Sequence, residues 1–207
     1  MKRQDMIKKR VEIAEKRILE LTSSDNLKKI TEHDKIARFY MEKSINRLES
    51  AKLIFNASRE ADKSRFEVTT SYRDYAEAVA SSYYSMYYIV HSFLASQYRT
   101  KLKEGIRGVH IITEHIILYY LVKTNKLAKH LYEEYMNTLE ITAQIQKAED
   151  FQERAFRYAE DYSRSRSSRE IFTYNVTASV EEHNAAQAIK TAEEFINTIR
   201  QLMIEKI

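Results

Sequence analysis

Apolar side chains recur along this chain at intervals of three and four, and the recurrence breaks at only a few places. Residues 3–21 set Met6, Ile7, Val11, Ile13, Ala14, Ile18 and Leu21 in an approximate helical stripe, which Thr22-Ser23-Ser24-Asp25-Asn26 ends. Thr31-Glu32-His33-Asp34 reads as a capping box, with an acid three residues after Thr31. It opens a second helix carrying Ile36, Phe39, Tyr40, Ile45, Leu48, Ala51, Ile54 and Phe55. A polar stretch, 58–70, follows, and Ser71 with Asp74 reads as the cap of a third helix. That helix runs through Tyr75, Val79, Tyr83, Met86, Tyr87, Val90 and Leu94 to about Tyr98. After a basic loop, 99–108, residues 109–123 form a short, strongly apolar helix, and Thr124-Asn125-Lys126 a turn. A long helical pattern runs from Leu127 to about Arg166, with a candidate break at 147–150, and an irregular segment occupies 167–178. Ser179-Val180-Glu181-Glu182 is a further capping box, for a last helix that buries Ala186, Ile189, Ala192, Phe195, Ile196, Ile199 and Leu202.

The expected fold is therefore all-α: an antiparallel up-and-down bundle of four main helices, plus a short helix and an N-terminal extra helix. Residues 1–30 read as a basic amphipathic helix and linker, and 31–207 as the bundle. Composition strengthens this reading. The 207 residues include no proline and two glycines, Gly105 and Gly108, where average usage gives roughly 10 and 14. The absence of cysteine excludes disulfides and thiolate metal sites. No apolar run reaches the ~18 residues of a membrane span; the longest, Ile111 to Val122, contains Glu114 and His115. The N-terminus opens a charged amphipathic pattern without a signal-peptide core, so a cytoplasmic location away from membranes is expected. Fifteen tyrosines without a tryptophan suit wide interhelical gaps in which each hydroxyl reaches a polar partner.

Charge adds the first hint of chemistry. The net charge of +4 is matched by residues 1–30 alone, where nine Lys/Arg face five acids. Arg99, Lys101, Lys103 and Arg107 face only Glu104. Arg164, Arg166 and Arg169 lie within six residues, followed by Phe172 and Tyr174. Clustered guanidinium groups suit phosphate, because the planar fork donates two parallel charge-assisted hydrogen bonds. The alternative is a solvated face, with the arginines paired to Glu160 or Asp161. His110 and His115 are five apart and diverge around a helix, so no metal is expected, and no cofactor motif is present. His91 follows the core pattern. Tyr83 with Tyr87, and Tyr84 with Tyr88, form i,i+4 pairs that suit a core or dimer interface, with base stacking as the alternative.

Ser81 to Leu94 reads Ser-Ser-Tyr-Tyr-Ser-Met-Tyr-Tyr-Ile-Val-His-Ser-Phe-Leu. With Gly108-Val109-His110, the span Arg169 to Tyr174 and the Ala185 to Ile196 pattern, this order resembles the HEPN superfamily of helical bundles, over residues 33–205. The likeness is to a subgroup with a Tyr-Tyr-x-Met-aromatic signature. It implies a homodimer that binds or cleaves RNA without metal, and a nucleotidyltransferase-type partner protein. Ribonuclease members carry Arg-x4-6-His; here Arg169 takes the arginine position and Tyr174 that of the histidine. A phenol with a pKa near ~10 is a poor base at neutral pH, whereas imidazole near ~6.5 is well matched. The resemblance thus implies an RNA- or nucleotide-associated module that is catalytically weak or inactive. Arg164, Arg166, Arg169, Arg99, Lys101, Lys103 and Arg107 are its phosphate-binding candidates, and Arg169 and Tyr174 the catalytic pair. Two alternatives stand beside it. One is an active metal-independent endoribonuclease of toxin–antitoxin type, with His91 or His110 supplying the proton-transfer group. The other is a structural protein that docks a partner through its N-terminal helix.

Overall fold

The computed structural model describes residues 3–59, 62–161 and 180–204, with side chains over 7–59, 62–147 and 180–204. The elements are α1 (Arg3–Ser23), β1 (Leu27–Lys29), α2 (His33–Ser58), α3 (Tyr75–Tyr98), β2 (Thr100–Leu102), α4 (Val109–Ile117), a π-helical turn (Leu118–Val122), α5 (Lys129–Asp161) and α6 (Glu182–Ile204). The protein is an all-α helical bundle with one small ribbon, in which β1 and β2 pair antiparallel.

The bundle is built around α3, and a run of small residues explains its closest neighbour. Ala37, Ser44, Ala51 and Ser58 recur every seven residues on α2, all buried. Ala78, Ser85 and Ser92 recur every seven on α3, also buried. Small side chains let two helix axes approach closely. The approach is fixed by hydrogen bonds from side chains to the main chain of the facing helix. Ser44 Oγ donates to the Ser85 carbonyl at 2.8 Å, and Ser92 Oγ to the Ala37 carbonyl at 2.7 Å. At the far end the Asp74 N–H donates to Ser58 Oγ at 2.9 Å. The rising and falling numbers make α2 and α3 antiparallel, and the buried serine hydroxyls of this seam are satisfied.

On its other side α3 meets α5 and α6. Tyr83, Tyr135 and Phe195 are fully buried, with the Tyr135 ring 5.7 Å from each of the other two. Thr191 Oγ1 donates to Glu134 at 2.9 Å, and Gln97 to the Met203 carbonyl at 3.5 Å. Tyr75 at the start of α3 also reaches Glu182 at the start of α6, and Ile141 of α5 packs in a cluster with Ala185 and Ala188, so α6 runs parallel to α3 and antiparallel to α5. Residues 7–30 join the same core: Ala14, Ile18, Leu21 and Leu27 are buried with side chains of α3, α4, α5 and α6. Arg10 Nη2 lies 2.6 Å from Glu114 Oε1, which also accepts from the Tyr132 hydroxyl at 2.9 Å. Lys123 pairs with Glu15 at 2.6 Å.

Several local expectations need correction. The residue preceding α2 is Glu32, without a side-chain cap, so Thr31 does not close a capping box. Asp74, rather than Ser71, caps α3 by accepting the Glu77 N–H at 3.1 Å. Helix α5 passes through 147–150 without a break. Residues 27–29 and 100–102, read as linker and loop, pair in register, Leu27 with Leu102, Lys28 with Lys101 and Lys29 with Thr100. Along α6 it is Ala185 and Ala188 that are buried, while Ala186 is exposed. Of the apolar residues that α2 carries, Phe39 and Ile45 are 51% and 37% exposed. Among the described residues no helix is long and apolar enough to cross a membrane.

Candidate nucleic-acid interface

The exposed Phe39 begins a surface that the periodicity did not reveal. On α2, Phe39, Lys43 and Arg47 follow one another at four-residue steps and share a face. Tyr88 and Tyr84 on α3 stand opposite in the antiparallel register. Lys43 Nζ lies 4.8 Å from the Phe39 ring centre and 5.3 Å from that of Tyr88. The Arg47 guanidinium lies 5.8 Å from the Tyr84 ring and 3.7 Å from Glu77. Tyr40 stacks at 6.2 Å on Tyr88. The result is a half-buried aromatic strip with cations held over its ring faces, an arrangement favoured by the ring quadrupole.

Behind the strip lies a polar cluster. The Tyr83 hydroxyl and His110 Nδ1 are joined by a 2.7 Å hydrogen bond. His110 stands two residues past Gly108, whose left-handed φ of 72° starts α4 and aims the chain back at α3. With the phenol donating, the imidazole proton sits on Nε2, which has no hydrogen-bond partner among the described residues. Burial holds His110 below its ordinary pKa, so the ring is neutral near pH 7. The Tyr87 ring packs 4.5 Å from His91 and 5.5 Å from His110. Burial pushes the Tyr87 hydroxyl up to about 12 and that of Tyr83 higher still. Both phenols remain protonated donors.

His91 is a buried structural residue. Thr113 spends its proton on the Val109 carbonyl at 2.8 Å, so the 3.0 Å contact between His91 Nε2 and Thr113 Oγ1 is donated by the imidazole. Burial first, and neighbouring His110 second, lower its pKa to about 4. Glu114 is held by Arg10 and Tyr132 rather than by a histidine. No group of three or more His, Asp or Glu side chains is arranged for a metal ion among the described residues.

The sequence candidates fare unevenly. Arg164, Arg166, Arg169 and Tyr174 lie outside the described residues. Arg99 is exposed, and ends α3 in the left-handed conformation at φ 51°, a position set by the turn into β2. Lys101 donates to Glu104 at 3.1 Å, and its charge counters the effect of burial on the Tyr40 hydroxyl, which places the basic segment beside the aromatic strip. Lys103 and Arg107 are exposed. The segment rejoins the bundle at one end of α3, whereas α6 starts at the other, where Tyr75 reaches Glu182 at 3.2 Å. A helix of 24 residues separates these ends, about 36 Å at 1.5 Å per residue. Sequence reasoning missed Lys43 and Arg47; their four-residue step from Phe39 was the available signal. It also missed Lys28 and Lys29, which the ribbon carries to Lys101 and Thr100.

No family model, curated protein or solved structure matches this chain.

Proposed function

We propose that this bundle is a HEPN-type homodimeric module that binds single-stranded RNA, with little or no catalytic activity. The observation that carries the reading is Lys43 lying between the rings of Phe39 and Tyr88. Exposed aromatic rings stack on unpaired bases, and cations packed against such rings meet the backbone. Tyr40, Tyr84 and Arg47 extend the strip, and Lys101, Lys103 and Arg107 continue the positive surface at its end. Arg164, Arg166 and Arg169 are assigned to phosphate, and Arg169 with Tyr174 to the position of the family's ribonuclease pair. Tyr174 is a poor base, which argues for binding without turnover. The test is incubation of the purified protein with labelled single-stranded RNA, with and without chelator. Retention of intact RNA that weakens in an Arg164/Arg166/Arg169 triple alanine variant fits the proposal; failure to retain RNA at low salt contradicts it.

A second reading has one specific observation in its favour. His110 is neutral, anchored through Nδ1 by Tyr83, and free of a described partner at Nε2. Such a ring suits proton transfer in a metal-independent endoribonuclease. Chelator-resistant cleavage that disappears in His110→Ala selects this reading over the first.

A further inference from the structure

His110 stands where the aromatic strip meets the polar cluster behind it. Its ring lies 6.0 Å from that of Tyr84, the strip residue whose ring holds the Arg47 guanidinium at 5.8 Å. The rings of Tyr83 and Tyr87 flank it at 5.6 and 5.5 Å. Its Nδ1 is engaged by the Tyr83 hydroxyl at 2.7 Å. Its Nε2 has no partner among the described residues, yet it is not one of the polar atoms sealed from solvent. The unengaged nitrogen therefore meets water with only the Tyr84 ring between this imidazole and Arg47.

The surroundings hold a second arrangement in reserve. A protonated imidazole donates from both nitrogens. Nδ1–H then donates to the Tyr83 oxygen, and the Tyr83 O–H must turn to another acceptor. Tyr135 supplies one. Its hydroxyl is buried without a hydrogen-bond partner, its ring lies 5.7 Å from that of Tyr83, and the two hydroxyls act on each other electrostatically. An orphaned phenol in the core is a cost, and the charged state of His110 relieves it.

No acid quenches that charge. Tyr83, Tyr84, Tyr87 and His91 face the ring from α3, Tyr135 of α5 lies behind Tyr83, and Arg47 of α2 lies beyond Tyr84. Glu114, one turn further along α4, is engaged by Arg10 of α1 and by Tyr132 of α5. Burial alone holds His110 below its ordinary pKa, and no carboxylate among the described residues acts on it. An anion arriving at Nε2 is therefore the partner that draws a proton onto the ring.

We propose that His110 is a proton-linked phosphate contact: a backbone phosphate of RNA on the strip sits at Nε2, the ring takes up one proton from solvent, and Tyr83 turns its hydroxyl from Nδ1 to the Tyr135 oxygen. This rests on the reading that the strip binds RNA, and makes that binding sensitive to pH. The bound phosphate raises the His110 pKa. The gain in affinity is thus complete below the pKa of the free chain, and is lost as pH rises through that of the complex.

The test is fluorescence anisotropy of a labelled oligouridylate, whose bases do not titrate in the window, at about pH 7.5 and about pH 5.5. Helicity is checked at both. The parent is expected to bind roughly ten-fold tighter at the lower pH, the worth of one unit of pKa shift. His110→Gln, which cannot take a charge, is expected to lose that rise. Tyr83→Phe, which removes the hydrogen bond that favours the neutral ring, is expected to move the rise to higher pH. Equal parent affinity at the two pH values overturns the proposal, as does an undiminished rise in His110→Gln, while RNA binding itself stands. Absence of binding at both pH values overturns the RNA reading and this inference with it.

Discussion

Ser44 on α2 donates its hydroxyl proton to the main-chain carbonyl of Ser85 on α3, 2.8 Å away across the closest helix pair of the bundle. The bond exists because residues one heptad apart on both helices are small. Ser44→Ala keeps the close approach and is expected to cost about 1 kcal/mol, the value of one net hydrogen bond. Ser44→Leu forces the helices apart and is expected to cost more, about 1–3 kcal/mol beyond that. Urea unfolding of the two variants checks the order; a leucine variant as stable as the alanine one contradicts close packing at this seam.

Arg10 and Glu114 fix α1 to α4. Glu114 is 7% exposed and would keep only the Tyr132 hydroxyl if Arg10 were lost. Because the Arg10 side chain is 42% exposed, Arg10→Ala is expected to cost about 1–2 kcal/mol, below the ~3–5 kcal/mol of a fully buried pair. Glu114→Gln in the same background is expected to recover part of that loss. Recovery is read from thermal melts of the single and double variants.

Stability is expected to fall on the acid side of neutrality. The His91 imidazole is held down at about 4 by burial, against about 6.5 in an unfolded chain. As pH falls, the unfolded chain takes up the proton first. The stability is therefore complete above about pH 6.5 and drains away at about 1.4 kcal/mol per pH unit towards 4. His91 alone accounts for about 2 kcal/mol between pH 7 and 5. His110 and His115, also lowered by burial, steepen the same limb. His91→Gln is expected to flatten it, measured by chemical unfolding at stepped pH; a parent stability that is flat from pH 7 to 5 contradicts the buried neutral histidine.

The class of fold was legible because proline is absent and apolar spacing is helical over most of the chain. The ribbon was not: three-residue strands such as Leu27–Lys29 carry too short an alternation to read, and their pairing with Thr100–Leu102 is set by the packing of α1. The exposure of Phe39 has a related reason. Helix α2 is held to α3 by alanine and serine, so its seam is small rather than hydrophobic, and a large apolar residue on it is free to face outwards. The candidate site was legible in residue type, since the tyrosine block and the basic run were both singled out. The cations over the rings depend on the antiparallel register of α2 and α3, which no local pattern contains.

Within the basic segment the three cations are expected to differ. Lys101 already holds Glu104 at 3.1 Å, while Lys103 and Arg107 are exposed. Alanine at Lys103 or Arg107 is expected to weaken RNA binding and to lower the salt slope by about 0.7 each. Alanine at Lys101 is expected to change both less. Equal effects at all three positions contradict this ranking.

The central claim concerns the aromatic strip, and fluorescence anisotropy of a labelled single-stranded RNA tests it most directly. The comparison is between the parent chain and Phe39→Ala/Lys43→Ala, two solvent-facing changes expected to leave the melting temperature in place. Loss of one stacked base and one phosphate contact is expected to weaken binding roughly ten-fold or more. Undiminished affinity in the double variant, or no binding by the parent at low salt, contradicts the account.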